Sequence, residues 1–411
     1  MGRGQQSSSG TSCLQGHFLR RQQRGRAFLG RPSRQTREMH PQRNSETAAE
    51  DLALLAYTSG STGEPEGTIH NHRDILAIAD GYGRRILSPV PEDVFGGPPT
   101  MAFTFGLGGL LVFPFRFGSA SSLIQRFSPV GLMQVIRDTK VTILFCSATT
   151  YNILLKAELP DFVESCRTLR LCVSAGETLP APVFTAWKEK TGIEILDAIG
   201  STEMLHMFIT NYPGEAKPGS TGKPVPGYEA RIVDEQLREL PAGQAGLLMV
   251  KGPTGCRYWN RPERQKEYVR DGWNMPGDIS IKDPEGFYHY QCRADDMIIC
   301  SGYNIAGPEV EAVLVEHPRV QECAVVASPD MTRGFVPKAF VVIRAGASPS
   351  PELITELQEF AKARLAPYNY PRPIEFVASL PKTETGKIRR VELRSRERES
   401  FSQQRAVGME D

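Results

Sequence analysis

Residues Tyr57-Thr58-Ser59-Gly60-Ser61-Thr62-Gly63-Glu64-Pro65-Glu66-Gly67 are the first stretch of this chain that could do chemistry. Glycines let successive backbone N–H groups converge on an anion without Cβ clashes. Thr58, Ser59, Ser61 and Thr62 add hydroxyl donors. The apolar run Leu52–Tyr57 precedes the loop and suits a buried strand. A polar loop placed after such a strand and before a helix would hold a polyphosphate. The spacing is not G-x-x-x-x-G-K-[ST], so this is a different phosphate loop. A surface linker is the weaker reading, given so many hydroxyls and glycines directly after an apolar strand.

Four further motifs follow, each weak alone. In Gly200-Ser201-Thr202-Glu203 a hydroxyl and a carboxylate sit side by side, suited to Mg²⁺ and a phosphate oxygen. The same residues would equally cap a helix. In Gly277-Asp278 a carboxylate after a glycine turn can accept from two ribose hydroxyls, although an ordinary β-turn explains the pair as well. Arg293-Ala294-Asp295-Asp296 leads into Met297-Ile298-Ile299-Cys300-Ser301-Gly302-Tyr303-Asn304-Ile305. Pro381-Lys382-Thr383-Glu384-Thr385-Gly386-Lys387-Ile388-Arg389-Arg390 puts a lysine on a glycine-containing turn, where it can swing as a point charge.

The elements that must position these motifs alternate. Short strands are expected at Val141–Cys146, Leu169–Val173 and Ile193–Ile199, with helices at Pro129–Thr139 and Pro182–Thr191. That alternation implies a layered α/β core. After about Gly227 the pattern changes to hairpins, with strands at Ala230–Val233 and Leu247–Val250. Beyond Asp295 a compact α+β unit is expected, with strands at Cys323–Ala327 and Ala339–Ile343. Its helix, Glu352–Leu365, puts Leu353, Leu357, Phe360, Ala361 and Leu365 on one face. The charge-rich end from about Val391 reads as a fraying helix. Residues 1–45 hold nine Arg, no Lys and one acid, Glu38, with no period, and read as disordered, targeting or non-native sequence.

Composition narrows the function classes. The chain has 411 residues, enough for two or three domains. A net charge of +1 gives no reason to expect a nucleic acid or an anionic membrane as partner. The apolar run Leu107–Phe115 is too short and Gly-rich to span a bilayer. Eight scattered cysteines, with no CxxC, fit reduced thiols better than disulfides or a zinc site.

Taken in order and spacing, the five motifs resemble the adenylate-forming superfamily of acyl-CoA synthetases, luciferases and peptide-synthetase adenylation domains, over about residues 46–395. The resemblance implies a large α/β N-terminal domain, here incomplete, at 46–294. It would carry a β-rich subdomain at about 225–294, be hinged to a mobile α+β C-terminal domain at 295–395, and leave a tail at 396–411. It also implies a ligase that turns a carboxylate and ATP into an acyl-adenylate, which a thiol, usually CoA, then attacks. By resemblance Thr58, Ser59, Gly60, Ser61, Thr62 and Gly63 hold phosphates, and Thr202 and Glu203 serve phosphate and Mg²⁺. Ser174, Ala175, Gly176, Glu177 and Asp197 to Gly200 and Ser201 frame adenine and the acyl group. Asp278 and Arg293 hold the ribose. Lys387 bridges the attacking carboxylate and the α-phosphate. Asp295 is the hinge, and Ser301, Gly302 and Tyr303 line the thiol's path. Pro98–Gly109, with Phe105 as wall and Gly106 beside it, and His206 facing an ortho substituent or serving structure, look like the aryl-CoA ligases for benzoate and 2-aminobenzoate. Glycines there would give room for a flat ring. The expected partners are an aromatic carboxylic acid and CoA, in the cytoplasm; homodimerisation is left open. The alternatives are a non-catalytic nucleotide-binding fragment and a module loading a carrier protein.

Three departures from the family pattern stand out. Its phosphate loop usually reads Pro-Lys-Gly, where this chain has Pro65-Glu66-Gly67. A carboxylate ~4 Å from a phosphate charge costs roughly 1 kcal/mol in water and about 4 at an effective dielectric of 20. Glu66→Lys would then lower the KM for ATP, unless Glu66 points to solvent. Pro276 replaces a usual hydroxyl residue and Cys292 a usual glycine. Finally, about ten structured residues precede the loop where the family carries well over a hundred, so the chain reads as N-terminally truncated, with bare apolar faces within 50–200.

Overall fold

The computed structural model describes residues 46–59, 65–300, 303–330, 332–366, 368–382 and 388–407. The Arg-rich stretch 1–45 lies outside the described residues. So do Gly60, Ser61, Thr62, Gly63, Ser301, Gly302 and Lys387, and the side chain of Ser59.

A seven-stranded sheet forms the centre of the first unit. Its order is Ala120–Leu123, Val94–Gly97, Ile143–Cys146, Leu171–Ala175, Ile195–Gly200, Met207–Thr210 and Lys223–Pro224. The first five strands run parallel and the last two antiparallel. Side chains alternate across it. Ile143, Phe145, Val173, Leu196 and Ala198 enter one core, while Leu144, Cys146, Cys172 and Ile195 enter another. Both faces are therefore buried, which is why these strands read as unbroken apolar runs. Helices Pro129–Thr139, Ala148–Lys156, Phe162–Cys166 and Ala181–Thr191 supply the second core. Pro129–Thr139 starts where its sequence dictates: Ser128 accepts from the Gly131 N–H, and a proline opens the first turn.

The 52–71 segment differs from its expected form. Leu52–Ser59 pairs antiparallel with Pro65–Asn71, so the Gly/Ser/Thr loop joins two strands and no helix follows it directly. The first strand is not buried either; Leu52 is 52% and Tyr57 65% exposed. Its partner strand buries Glu66, Thr68 and His70 instead. The hairpin's outer edge continues into the next unit, with Ile69 N–H donating to the Arg257 carbonyl (2.7 Å) and Trp259 N–H to the Gly67 carbonyl (2.8 Å).

A second, six-stranded sheet is antiparallel throughout its long strands. Glu229–Val233 pairs with Ala245–Lys251, which also meets Trp273–Asn274 and Asp278–Lys282; the last pairs with Tyr288–Arg293. The third unit stacks helices Gly307–Val315 and Pro351–Lys362 on a sheet built round Val320–Asp330 and Gly334–Ile343. Leu365 lies past the end of the second helix, though still against that core. The charge-rich C-terminal stretch forms one helix, Arg390–Val407. It is docked, not frayed, at Leu393 (4% exposed) and at Glu397, whose Oε2 accepts from Ser328 at 2.7 Å. Seven cysteines among the described residues are free and buried. No helix among those residues is long and apolar enough to cross a membrane.

Candidate active site

Ser174 and Ala175, and Asp197 to Gly200, lie at the C-terminal ends of two adjacent parallel strands, where ligands bind in open α/β sheets. Ser174 and Asp197 are neighbours across adjacent strands. Asp197 is 4% exposed, and its Oδ1 has no hydrogen-bond partner. Burial pushes its carboxyl up to about 8, against weaker opposing pulls from Ser174 and the Leu179 and Ala198 backbone. Ala175 is buried at the strand end, and Gly176 turns the chain at φ +87°. Glu177 Oε2 is already engaged, accepting from Thr149 N–H (3.0 Å) and Oγ1 (2.6 Å).

Gly200-Ser201-Thr202-Glu203 is a turn between two strands and not a helix cap. Ser201 Oγ accepts from the Met204 N–H at 3.2 Å, and the Leu205 N–H donates to the Thr202 carbonyl at 3.0 Å. Gly200 is required there, since a Cβ would lie 2.6 Å from the His206 carbonyl. His70, from the hairpin, donates through Nε2 to the Thr202 carbonyl at 2.8 Å. A carbonyl can only accept, so Nε2 carries the proton. Burial holds His70 below its ordinary pKa, which keeps that imidazole neutral. The Glu203 carboxylate accepts from the Tyr258 hydroxyl at 3.2 Å. A hydroxyl and one carboxylate on an open turn suit Mg²⁺, which keeps several waters and takes few protein ligands.

Asp278 and Arg293 are separated by fifteen positions but face each other as ladder partners. Arg293 Nη1 donates to Asp278 Oδ1 at 2.9 Å, and Asp278 is buried. Gly277 takes φ +79°, and its carbonyl accepts from the Ala294 N–H. Pro276 and Cys292 are both buried without disturbing this pair. Asp295 follows in a single tight turn, Ala294–Asp296, and accepts from Arg394 Nη2 at 3.3 Å. Tyr303 is 52% exposed and stacks on Tyr368 with ring centroids 4.2 Å apart.

Phe105 sits in a buried aromatic cluster. Phe105 lies 5.2 Å from Phe145 and 6.4 Å from His206, centroid to centroid. His206 also meets Phe113 edge-on at 4.8 Å and Tyr82 at 5.5 Å. Both its ring nitrogens are buried without partners. Burial lowers its pKa to about 3, so the imidazole is neutral. The glycines serve these rings: a Cβ on Gly108 would sit 2.3 Å from His206 Nε2, and one on Gly109 2.5 Å from Phe145. A Cβ on Gly106 would strike the Thr100 carbonyl at 2.1 Å. The room they leave is thus already filled by protein.

Of the two expected positions for Glu66, the solvent-facing one does not hold. Its Oε2 accepts from Arg264 Nε at 3.3 Å, and it is 8% exposed. Sequence reasoning missed His70, Arg264, Tyr258, Tyr82 and Phe113. The one available signal was the period-2 run Glu66, Thr68, His70, three polar residues on one strand face.

The AMP-binding enzyme family model matches residues 6–259, and the model of its C-terminal domain matches 309–387. The chain belongs to the AMP-binding enzyme family. Within it, curated relatives at 34–41% identity are named as CoA ligases or acyl-coenzyme A synthetases. The benzoate–CoA ligase of Thauera aromatica is 41% identical over 353 residues, covering 85% of this chain and 67% of that protein. Among solved structures, an anthranilate CoA ligase in complex with anthranoyl-AMP superposes with a TM-score of 0.78 at 39% identity, covering 86% of this chain and 68% of that one. A benzoate CoA ligase from Burkholderia xenovorans LB400 gives 0.76 at 38% identity, covering 85% and 70%. The chain spans between 61% and 69% of the length of the curated relatives it matches.

Proposed function

We propose that this protein is an AMP-forming aryl-CoA ligase acting on benzoate or 2-aminobenzoate. One observation carries the reading. The turn from Gly200 to His206 carries Thr202 and Glu203 and ends at the His206 ring, packed among Phe105, Phe113 and Tyr82, and would so join the two halves of the chemistry. A flat aryl acid packed against this cluster would be favoured over an alkyl chain by about 0.5–1.5 kcal/mol per ring pair. The kinship to benzoate and anthranilate ligases supports the same substrate class.

The carboxylate must approach the polyanion of ATP, and fixed donors and cations lower that barrier. Thr202 and Glu203 would hold Mg²⁺, which would neutralise phosphate charge. The 52–71 hairpin would hold the phosphates through its loop. Asp278, fixed by Arg293, would accept from the ribose hydroxyls. Lys387, outside the described residues, would bridge the carboxylate and the α-phosphate. Rotation of the C-terminal unit about Asp295 would then exchange Lys387 for the segment at Tyr303 and open the path for CoA.

The test is pyrophosphate release with a panel of benzoates, with and without CoA. Release that depends on a benzoate, with aryl-CoA formed when CoA is present, is the expected result. A folded protein that binds ATP but releases no pyrophosphate with any acid would favour the nucleotide-binding fragment.

A further inference from the structure

Glu66 stands where the family's phosphate loop usually has a lysine, yet the neighbourhood is not short of a cation. Arg264, 198 positions later, lies on the short helix Pro262–Tyr268 and donates through Nε to Glu66 Oε2 at 3.3 Å. Its Nη1 donates to Glu267 Oε2 at 3.3 Å. Its guanidinium carbon is 5.5 Å from the centre of the Tyr258 ring, and the Tyr258 hydroxyl donates to Glu203. Contacts thus run from the loop end of the hairpin through Arg264 and the Tyr258 ring to the carboxylate assigned to Mg²⁺. The backbone fixes the same junction: Thr68 bridges to Tyr258, and Gly67 and Ile69 bond to Trp259 and Arg257. A buried carboxylate must be paired, and an arginine fork can satisfy it while keeping N–H groups for a second anion.

We propose that Arg264 supplies the cation of the nucleotide site in place of the family's loop lysine, and that Glu66 is the positioning residue that holds it there. This rests on the ligase reading above. It reverses the expectation that Glu66→Lys improves ATP use, because that change would set a second cation against Arg264.

The test measures KM for ATP, KM for benzoate and kcat, together with the Kd for ATP by calorimetry and the Tm, in Arg264→Gln, Arg264→Lys, Glu66→Gln, Glu66→Lys and the reversed pair Glu66→Arg with Arg264→Glu. Arg264→Gln is expected to raise KM and Kd for ATP about tenfold, with KM for benzoate within twofold. Arg264→Lys should recover part of that loss. Glu66→Lys should be worse than Glu66→Gln, and the reversed pair should be better than either of its single changes. A Tm loss in Arg264→Gln with KM and Kd for ATP within twofold would make the pair a structural clamp and overturn the proposal. If the wild-type protein releases no pyrophosphate, the ligase reading fails alone, and the order of the ATP Kd values decides the role of Arg264. No ATP binding by the folded wild type would overturn it.

Discussion

Asp197 offers the most direct test of the electrostatics at the strand ends. Its carboxyl is buried, one oxygen lacks a partner, and its pKa stands at about 8 against an ordinary 3.8. The folded state therefore holds a proton that the unfolded state releases. For an acid raised in this way, the stabilising contribution is complete below about pH 4 and is lost as pH rises toward 8. The slope is at most about 1.4 kcal/mol of lost stability per pH unit. Asp197→Asn keeps the shape and removes the titration. Its stability relative to wild type should rise by about 2–4 kcal/mol between pH 5 and pH 8, with relaxation of the site setting the lower figure. Urea unfolding of both proteins at each pH unit across that window gives the gap directly, because all other titrating groups are shared. A gap that stays constant with pH would refute the reasoning, since Asp197 would then be ionised alike in both states.

Three other outcomes are expected, the first from the geometry and the other two from the roles proposed for Asp278 and Lys387. Gly108→Ala should cost about 1–3 kcal/mol in unfolding free energy, because its Cβ would sit 2.3 Å from His206 Nε2 and force the aromatic box to shift. Asp278→Asn should raise the KM for ATP by about 10- to 100-fold, the range of a lost charged hydrogen bond, with little change in KM for benzoate; pyrophosphate assays at varied ATP check it. Lys387→Ala should slow adenylation by about 10²–10³-fold, while CoA attack on a supplied benzoyl-adenylate stays within a few fold; single-turnover assays of each half-reaction separate the two.

The parts of the fold built on apolar alternation were legible. Pro129–Thr139 could be placed from a serine cap, a proline and the spacing of Leu132, Met133 and Ile136, all of which are buried in the second core. The parallel strands stood out because both faces are covered. The 52–71 hairpin was misread for the opposite reason. Its second strand buries Glu66, Thr68 and His70, and each finds a polar partner elsewhere: Arg264, the Ala56 carbonyl and the Thr202 carbonyl. Hydropathy carries no trace of a face satisfied by bonds across 198 and 132 positions. The Asp278–Arg293 pair was legible only as two motifs; their contact depends on a ladder register that the intervening turn sets. The docking of Arg390–Val407 was hidden because, among its described side chains, only Leu393 and Glu397 of a strongly charged helix are buried.

The central claim is that this chain activates an aryl acid with ATP. The measurement that tests it most directly is benzoate-dependent pyrophosphate release by the purified 411-residue protein, with the product formed with and without CoA identified by mass spectrometry. The expected result is benzoyl- or 2-aminobenzoyl-adenylate without CoA and the matching thioester with it. A folded, ATP-binding protein that yields neither product with any benzoate would contradict the account.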